Sequence, residues 1–113
     1  MSAESASSLC LVLTTVGSEP KAREIARALI EAHLAACVHL EPIESLYEWQ
    51  GHLEEAREWR LLIKTTRERY AAVEAAIRER HDYELPAILA VPVTEVFAAF
   101  AEWVRAQSAP AVT

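Results

Sequence analysis

The sequence predicts an α+β domain with seven elements in the order β-α-β-β-α-β-α. Two continuous apolar runs, residues 9–15 and 87–93, are typical of buried strands. Three other segments repeat apolar residues with the 3.6-residue period of an amphipathic helix. Residues 47–66 alternate apolar and polar side chains on two arms around Gln50-Gly51-His52, which is the pattern of a β-ribbon with a tight turn.

The first strand, residues 9–15, leads into a helix that starts after Gly17. Ser18 can cap this helix, and Pro20 suits its first turn because that turn needs no backbone N–H donor. We expect one apolar face of the helix to pack on the sheet: Ala22, Ile25, Ala26 and Leu29.

The ribbon starts near Cys37 and contains Pro42, which cannot donate to a ladder, so the second strand should lie at a sheet edge or contain a bulge. Gly51 suits the turn because glycine accepts a positive φ. Each arm would span roughly 40 Å, which exceeds the diameter of roughly 35 Å of a compact chain of this length. We therefore expect the tip to project beyond the core and to join subunits through its aromatic residues: Tyr47, Trp49 and Trp59.

The two remaining helices have start signals of their own. Thr65 and Glu68 form a capping-box pattern before a helix with the buried stripe Tyr70, Val73 and Ile77. The last strand is followed by a third helix, which Thr94 would cap and whose apolar residues are Val96, Phe97, Phe100, Trp103 and Val104.

Two right-handed βαβ halves that share one sheet constitute the ferredoxin-like split β-α-β sandwich (βαββαβ plus C-terminal helix), here with a long β2–β3 hairpin. The first two helices then cover one face of the sheet, and the third helix and neighbouring subunits are the candidates to cover the other. We expect a disordered tail at residues 1–8, a single domain at residues 9–107 and a second tail at residues 108–113.

Composition and charge exclude several classes of protein. The net charge is −6, from 11 basic and 17 acidic residues, and no basic cluster suggests a nucleic-acid partner. The apolar run near the polar N-terminal segment is too short to span a membrane. Cys10 and Cys37 lie in apolar surroundings without a CxxC spacing, which predicts free thiols and, together with the other features, a cytoplasmic protein.

No catalytic motif is present in the sequence. Two glycines cannot form a glycine-rich phosphate loop, and serine nucleophile elbows, HExxH and paired-cysteine zinc signatures are absent. The sequence therefore predicts a protein that is not an enzyme. Metal binding is the chemistry that remains: Cys37 and His39 share a strand face with a spacing suited to a soft cation, or else they are a core thiol and an edge imidazole.

The segment HDYELP, residues 81–86, is the second candidate site. His81, Tyr83 and Glu84 place an imidazole, a phenol and a carboxylate within four residues. We expect these groups to form a cleft at a subunit boundary, where this segment meets the base of the ribbon. The alternative is a structural corner in which these groups satisfy one another.

Three segments in register resemble the CutA divalent-cation tolerance family over about residues 9–105: LAACVHLEPIESLYEWQGHLEEAREWRLLIKT, HDYELPAILAVPV and the helix around Trp103. The resemblance implies a ferredoxin-like homotrimer whose long hairpins pair between subunits. It also implies a non-enzymatic role in tolerance to copper and other divalent cations.

The chain departs from the family pattern at three positions. Asp82 replaces a proline of the histidine segment, Ala87 replaces a carboxylate, and Thr14 occupies the place of a cysteine proposed as a copper ligand. The ligand candidates that the resemblance leaves are His81 with Glu84, or with Asp82 in place of the missing carboxylate. If the subunits close as those of the family do, Lys64, on the opposite face of its strand from Trp59, adds a positive charge to the cleft, which would then bind a small anion or a metal–anion pair. The competing interpretation is a trimeric small-molecule or anion sensor resembling the PII signalling proteins, although the turn at Gly51 is much shorter than the long loop of those proteins.

Overall fold

The computed structural model describes residues 8–110 and shows the predicted α+β fold. A four-stranded antiparallel sheet has the order β2-β3-β1-β4, which is that of a ferredoxin-like sandwich. The elements are β1 (Leu9–Val16), α1 (Glu19–Glu31), β2 (Cys37–Trp49), β3 (His52–Thr66), a 3₁₀ turn (Arg67–Arg69), α2 (Tyr70–Arg80), β4 (Ile88–Pro92) and α3 (Ala98–Gln107).

The main core lies between one face of the sheet and the two helices α1 and α2. Alternate residues of β1 point to this face and are buried, as the alternation of strand side chains requires. Ser18 caps α1 by accepting a hydrogen bond from the backbone N–H of Lys21, as predicted. The buried apolar residues of this core are Cys10, Val12, Val16, Ala22, Ile25, Leu29, Ala35, Leu61, Ile63, Val73 and Ile77.

The opposite face of the sheet is covered only in part. Helix α3 packs its Ala101 and Val104 against Leu9 at one end. Beyond this contact, large apolar side chains remain exposed on β4, on α3 and at the residue before α3: Leu89, Val91, Phe97, Phe100 and Trp103. A single chain thus leaves an apolar surface, named here the open face, in contact with solvent.

The hairpin of β2 and β3 is regular and projects from the core. All thirteen residues of β2 pair with β3 in one register, without a bulge, and Pro42 lies on the outer edge of the sheet. Gln50 and Gly51 both have positive φ, 52° and 82°, as a two-residue type I′ turn requires. β1 pairs with β3 only as far as Trp59, so the outer part of the hairpin extends beyond it.

The overall dimensions confirm the predicted projection of the hairpin. The molecule measures 48 × 30 × 20 Å and has a radius of gyration of 15.0 Å. A compact chain of this length would have about 13 Å.

Two helix-start predictions were wrong, the first of them because strand pairing continues through the predicted cap. Thr65 does not cap a helix, because the β1–β3 ladder continues to Thr66 and the Thr65 hydroxyl donates to the Leu34 carbonyl over 2.7 Å. Thr94 does not cap α3, which begins at Ala98 without a side-chain cap. The backbone N–H of Val93 still donates to the carbonyl of Leu9, so the chain remains extended past β4.

Most of the two predicted tails lies outside the described residues, which exclude 1–7 and 111–113. Ser8 is described, and its carbonyl accepts a hydrogen bond from Arg67 N–H. Ser108, at the start of the second predicted tail, is buried and donates to the Val104 carbonyl at the end of α3. No helix within residues 8–110 is both long enough and apolar enough to cross a bilayer.

Candidate functional site

The loop of residues 81–87 joins α2 to β4 at the point where the hairpin leaves the core, and His81 anchors it. The backbone N–H of His81 donates to Ile77 and ends the helix. The imidazole is 1% exposed, with Nε2 2.8 Å from the Thr15 carbonyl and Nδ1 3.1 Å from the backbone nitrogen of Tyr83. A carbonyl only accepts and an N–H only donates, so these partners assign a neutral ring with its hydrogen on Nε2.

Tyr83 binds the projecting strand β3. Its hydroxyl donates to Oε2 of Glu58 over 2.7 Å, and Glu58 is only 6% exposed. A Cβ atom at Gly17 would lie 3.3 Å from the phenol oxygen, so glycine at the end of β1 leaves space for the ring. Burial, followed by the hydrogen bond and the charge of Glu58, raises the pKa of Tyr83 well above its usual range, so the phenol stays a hydrogen-bond donor.

A pocket of about 470 Å³ lies between this loop and the hairpin, and its lining includes Glu58 near the base and Trp49 beside the turn. Its volume falls within the range of small-molecule sites. Three of its residues are acidic, three are aromatic and none is basic. The lining consists of Thr15, Tyr47, Trp49, Glu58, Asp82, Tyr83, Glu84, Leu85 and Ala87.

The structure brings together some of the predicted cleft residues. Tyr83 and Glu84 line the pocket, while the His81 ring anchors the same loop without lining it. Lys64 does not line the pocket. It pairs with Leu11 of β1, and its ammonium group lies 5.4 Å from the centre of the Phe100 ring. Within one chain, therefore, the pocket lacks the cation on which the expectation of an anion depended.

The three predicted interface aromatics do not share one surface. Tyr47 and Trp49 line the pocket. Trp59 packs against the main core, because the register places odd-numbered residues of β3 on the face opposite to odd-numbered residues of β2. The sequence analysis missed Glu58 as a site residue. Glu58 pairs with Ile43, and Ile43 lies on the same face of β2 as Tyr47 and Trp49. The alternation of residues on the two arms of the hairpin was therefore the only signal that Glu58 shares a face with these aromatic residues.

The described residues of a single chain do not fit a copper site. Both ring nitrogens of His81 are engaged, and the hydroxyl of Thr14 is buried in the core without a hydrogen-bond partner. Cys37 and His39 share a face of β2, as predicted. Within residues 8–110, no three or more histidine, cysteine or acidic side chains cluster closely enough to hold one metal ion.

Comparison with known proteins gives consistent matches over most of the chain. A family model described as CutA1 divalent ion tolerance protein matches residues 10–107. The divalent-cation tolerance protein CutA of Thermus thermophilus is 42% identical over 96 residues, which cover 84% of this chain and 93% of that protein.

Solved structures of similar proteins superpose on most of the chain. The structure of CutA from Synechococcus elongatus superposes with a TM-score of 0.88 at 37% identity, covering 91% of this chain and 92% of that chain. That of a protein from Archaeoglobus fulgidus, described as a periplasmic divalent cation tolerance protein, has a TM-score of 0.87 at 33% identity and covers 88% and 98%.

Proposed function

Because the chain belongs to the CutA1 divalent ion tolerance family, we propose that it is a non-enzymatic, homotrimeric binding module in the response to divalent cations such as copper. The relatives are named as tolerance proteins and not as enzymes. The observation that carries the proposed assembly is the open face: the sheet has helices on one side and exposed apolar side chains on much of the other.

Two features of the chain support self-association. The open face exposes Leu89 and Val91 of β4 and the stacked rings of Phe100 and Trp103 of α3, and burial of such apolar surface is favourable. The projecting hairpin offers the unpaired edge of β2 over thirteen residues, which a neighbouring strand can extend. A stable interface needs about 800 Å² from each partner, and both features can contribute to that area.

Light scattering on the purified chain tests this assembly. Three chains of 12.6 kDa give an expected mass of about 38 kDa. Leu89→Glu places a charge on the open face, where the native side chain is 50% exposed, and should reduce the mass at micromolar concentration. Ile30→Glu is the matched control on α1, across the sheet, and should leave the mass unchanged. A wild-type mass near 12.6 kDa would refute the trimer.

We propose that this module binds metal ions with weak affinity. His81 with Glu84 is the proposed ligand pair, but His81 would have to give up a hydrogen bond to offer either nitrogen to copper. Two free cysteines, Cys10 and Cys37, support the proposed cytoplasmic location, since a reducing compartment keeps thiols unpaired. Fractionation of cells that express the tagged protein tests the location.

A small-molecule sensor related to the PII proteins is the second candidate function, and the pocket is the observation that favours it. The hairpin turn contains only Gln50 and Gly51, so the chain lacks a long loop there for insertion into a partner. A ligand in the pocket, rather than a loop, would then transmit the signal.

A further inference from the structure

We propose that a second pocket, at the end of the sheet opposite the hairpin turn, binds a small phosphate-bearing anion through Arg67 and Arg105. This pocket, named here the arginine pocket, lies between the end of β3 at Thr66 and the end of α3, and its volume is about 390 Å³. Among the described residues that line it, none belongs to the open face or to β2. The proposal therefore does not use the surfaces assigned to assembly.

The two arginines are the first reason. Arg67 follows β3 and Arg105 lies in the last turn of α3, so two elements far apart in sequence bring guanidinium groups to one pocket. Glu68 is the one acidic residue in the described lining, which leaves an excess of one positive charge that attracts anions. A guanidinium carries five N–H donors in a planar fork. An arginine that contacts the protein, as Arg105 does through the Ser8 hydroxyl at 3.3 Å, can therefore bind an oxyanion as well.

Thr66 is the second reason. It is only 7% exposed and lines the pocket, yet its side chain neither caps the 3₁₀ turn that follows nor forms another hydrogen bond within residues 8–110. Most hydroxyl groups of residues so far removed from solvent have a partner. An oxyanion inside the pocket can accept the hydrogen bond of this hydroxyl. Ser108 differs, because its hydroxyl already donates to the Val104 carbonyl.

The donor set fits a phosphate group better than a carboxylate. Two guanidinium groups and a hydroxyl offer donors to three oxygen atoms, and a phosphate ester has three terminal oxygens whereas a carboxylate has two. The two positive charges also match a phosphate dianion. The volume of about 390 Å³ lies in the range of small-molecule sites and leaves room for an organic group beside the phosphate.

Two-dimensional amide NMR of the isotope-labelled full chain tests the proposal at constant ionic strength. Inorganic phosphate should shift the amide signals of Arg67 and Glu68 saturably, and sodium chloride should leave them in place. Glycerol 3-phosphate should bind at least as tightly as the free ion, and glycerol should not bind. Tighter binding of the ester assigns the site to phosphate esters, and equal binding assigns it to the free ion.

Four variants define the site. Arg105→Gln removes one guanidinium fork and should weaken phosphate binding by about tenfold. Thr66→Val keeps the shape and the charge, removes the hydroxyl and should weaken binding by about threefold. Glu68→Gln removes the competing carboxylate and should strengthen binding by about twofold. Arg78→Gln is the matched control: Arg78 is exposed in the last turn of α2, and its loss changes the net charge as Arg105→Gln does but should leave the affinity unchanged.

Three results would overturn the proposal: no saturable shift in the wild type, equal weakening by Arg78→Gln and Arg105→Gln, or weaker binding by Glu68→Gln. Amide signals remote from the pocket report whether each variant is folded. If Arg105→Gln does not fold, Thr66→Val and Glu68→Gln still decide, since their effects have opposite signs. Light scattering on the same samples keeps the proposed assembly separate. Phosphate binding by a chain of 12.6 kDa would refute the trimer alone, and a trimer without the shifts would refute this proposal alone.

Discussion

The hydroxyl of Thr14 offers the sharpest test of how the core is stabilised. Thr14 is 1% exposed, lies in the middle of β1 between Leu61 and Ile88, and its Oγ1 has no hydrogen-bond partner. A buried hydroxyl without a partner costs about 1–3 kcal/mol relative to its state in water. Valine has the same branched shape and replaces the hydroxyl by a methyl group. Thr14→Val should therefore raise the free energy of unfolding by about 1–2 kcal/mol.

Thr65 provides a matched control on the neighbouring strand. It pairs with Cys10, faces the same core and is fully buried, but its hydroxyl donates to the Leu34 carbonyl over 2.7 Å. Thr65→Val removes that bond and leaves a buried carbonyl without this donor, so it should lower the free energy of unfolding by about 1–3 kcal/mol. The same chemical change thus has opposite signs at two sites of equal burial.

Urea unfolding followed by far-ultraviolet circular dichroism measures both variants. Protein concentration must be equal in all samples, because association makes apparent stability depend on concentration. The slope of free energy against urea should stay unchanged, since neither substitution alters the surface exposed on unfolding. A loss of stability in Thr14→Val, or the same sign for both variants, would refute the argument that hydrogen-bond satisfaction decides the outcome.

Three further predictions concern the site and the hairpin. Tyr83→Phe should lower the free energy of unfolding at pH 7 by about 1.5–3 kcal/mol, because it removes a bond to the buried Glu58 carboxylate. The pKa of Tyr83 is raised in the fold, so this stabilisation is complete below the unfolded pKa of about 10 and is lost as pH rises through the folded pKa. In urea unfolding at increasing alkaline pH, the free energy of unfolding should therefore decline less in the variant than in the wild type. An identical decline in both proteins would contradict the assignment. Gly51→Ala should lower the free energy of unfolding in urea by about 1 kcal/mol through the φ of 82° alone, since no atom lies within 4 Å of the added Cβ. Gln50→Asn should not destabilise the turn, because asparagine tolerates positive φ. A Gly51→Ala variant with unchanged stability would exclude the type I′ geometry. Copper binding should be micromolar at best, because both ring nitrogens of His81 are engaged in hydrogen bonds. A tight stoichiometric copper ion that His81→Ala abolishes in calorimetry would reverse that conclusion.

The alternation of apolar and polar residues in strands, and their 3.6-residue period in helices, sufficed to predict the elements, because these patterns reflect which face of a strand or helix is buried. The continuous apolar run of β1 and the stripe with Val73 and Ile77 in α2 occupy the predicted positions. Gly51 marked the turn, since a type I′ turn needs positive φ. The capping signal at Thr65 failed because a local side-chain preference of about 1 kcal/mol yields to the hydrogen bonds of a continuing ladder. Thr94 failed as a cap because α3 begins four residues later, at Ala98.

The site was predictable only where it is local in sequence. Tyr83 and Glu84 belong to one short loop, and both line the pocket. The distance of Lys64 from that loop depends on the register of β3 against β1, which no local pattern contains. Glu58 is buried because a tyrosine 25 residues later donates to it, whereas alternation alone assigns any glutamate to a solvated face.

The central position of β1 has a consequence for synthesis on the ribosome. β1 is made first, but its neighbours come much later: Leu9 pairs with Thr66, and Cys10 pairs with Pro92. At translation rates of roughly 5–20 residues per second, the second neighbour follows after roughly 4–16 s. The β2–β3 hairpin needs only microseconds once it has emerged. The nascent chain therefore carries an apolar strand without partners for seconds, and β1 enters a sheet whose hairpin is already complete. Refolding starts with the complete chain, but local hairpin closure should still precede the long-range pairing of β1, so in pulsed hydrogen exchange the hairpin amides should be protected before those of β1.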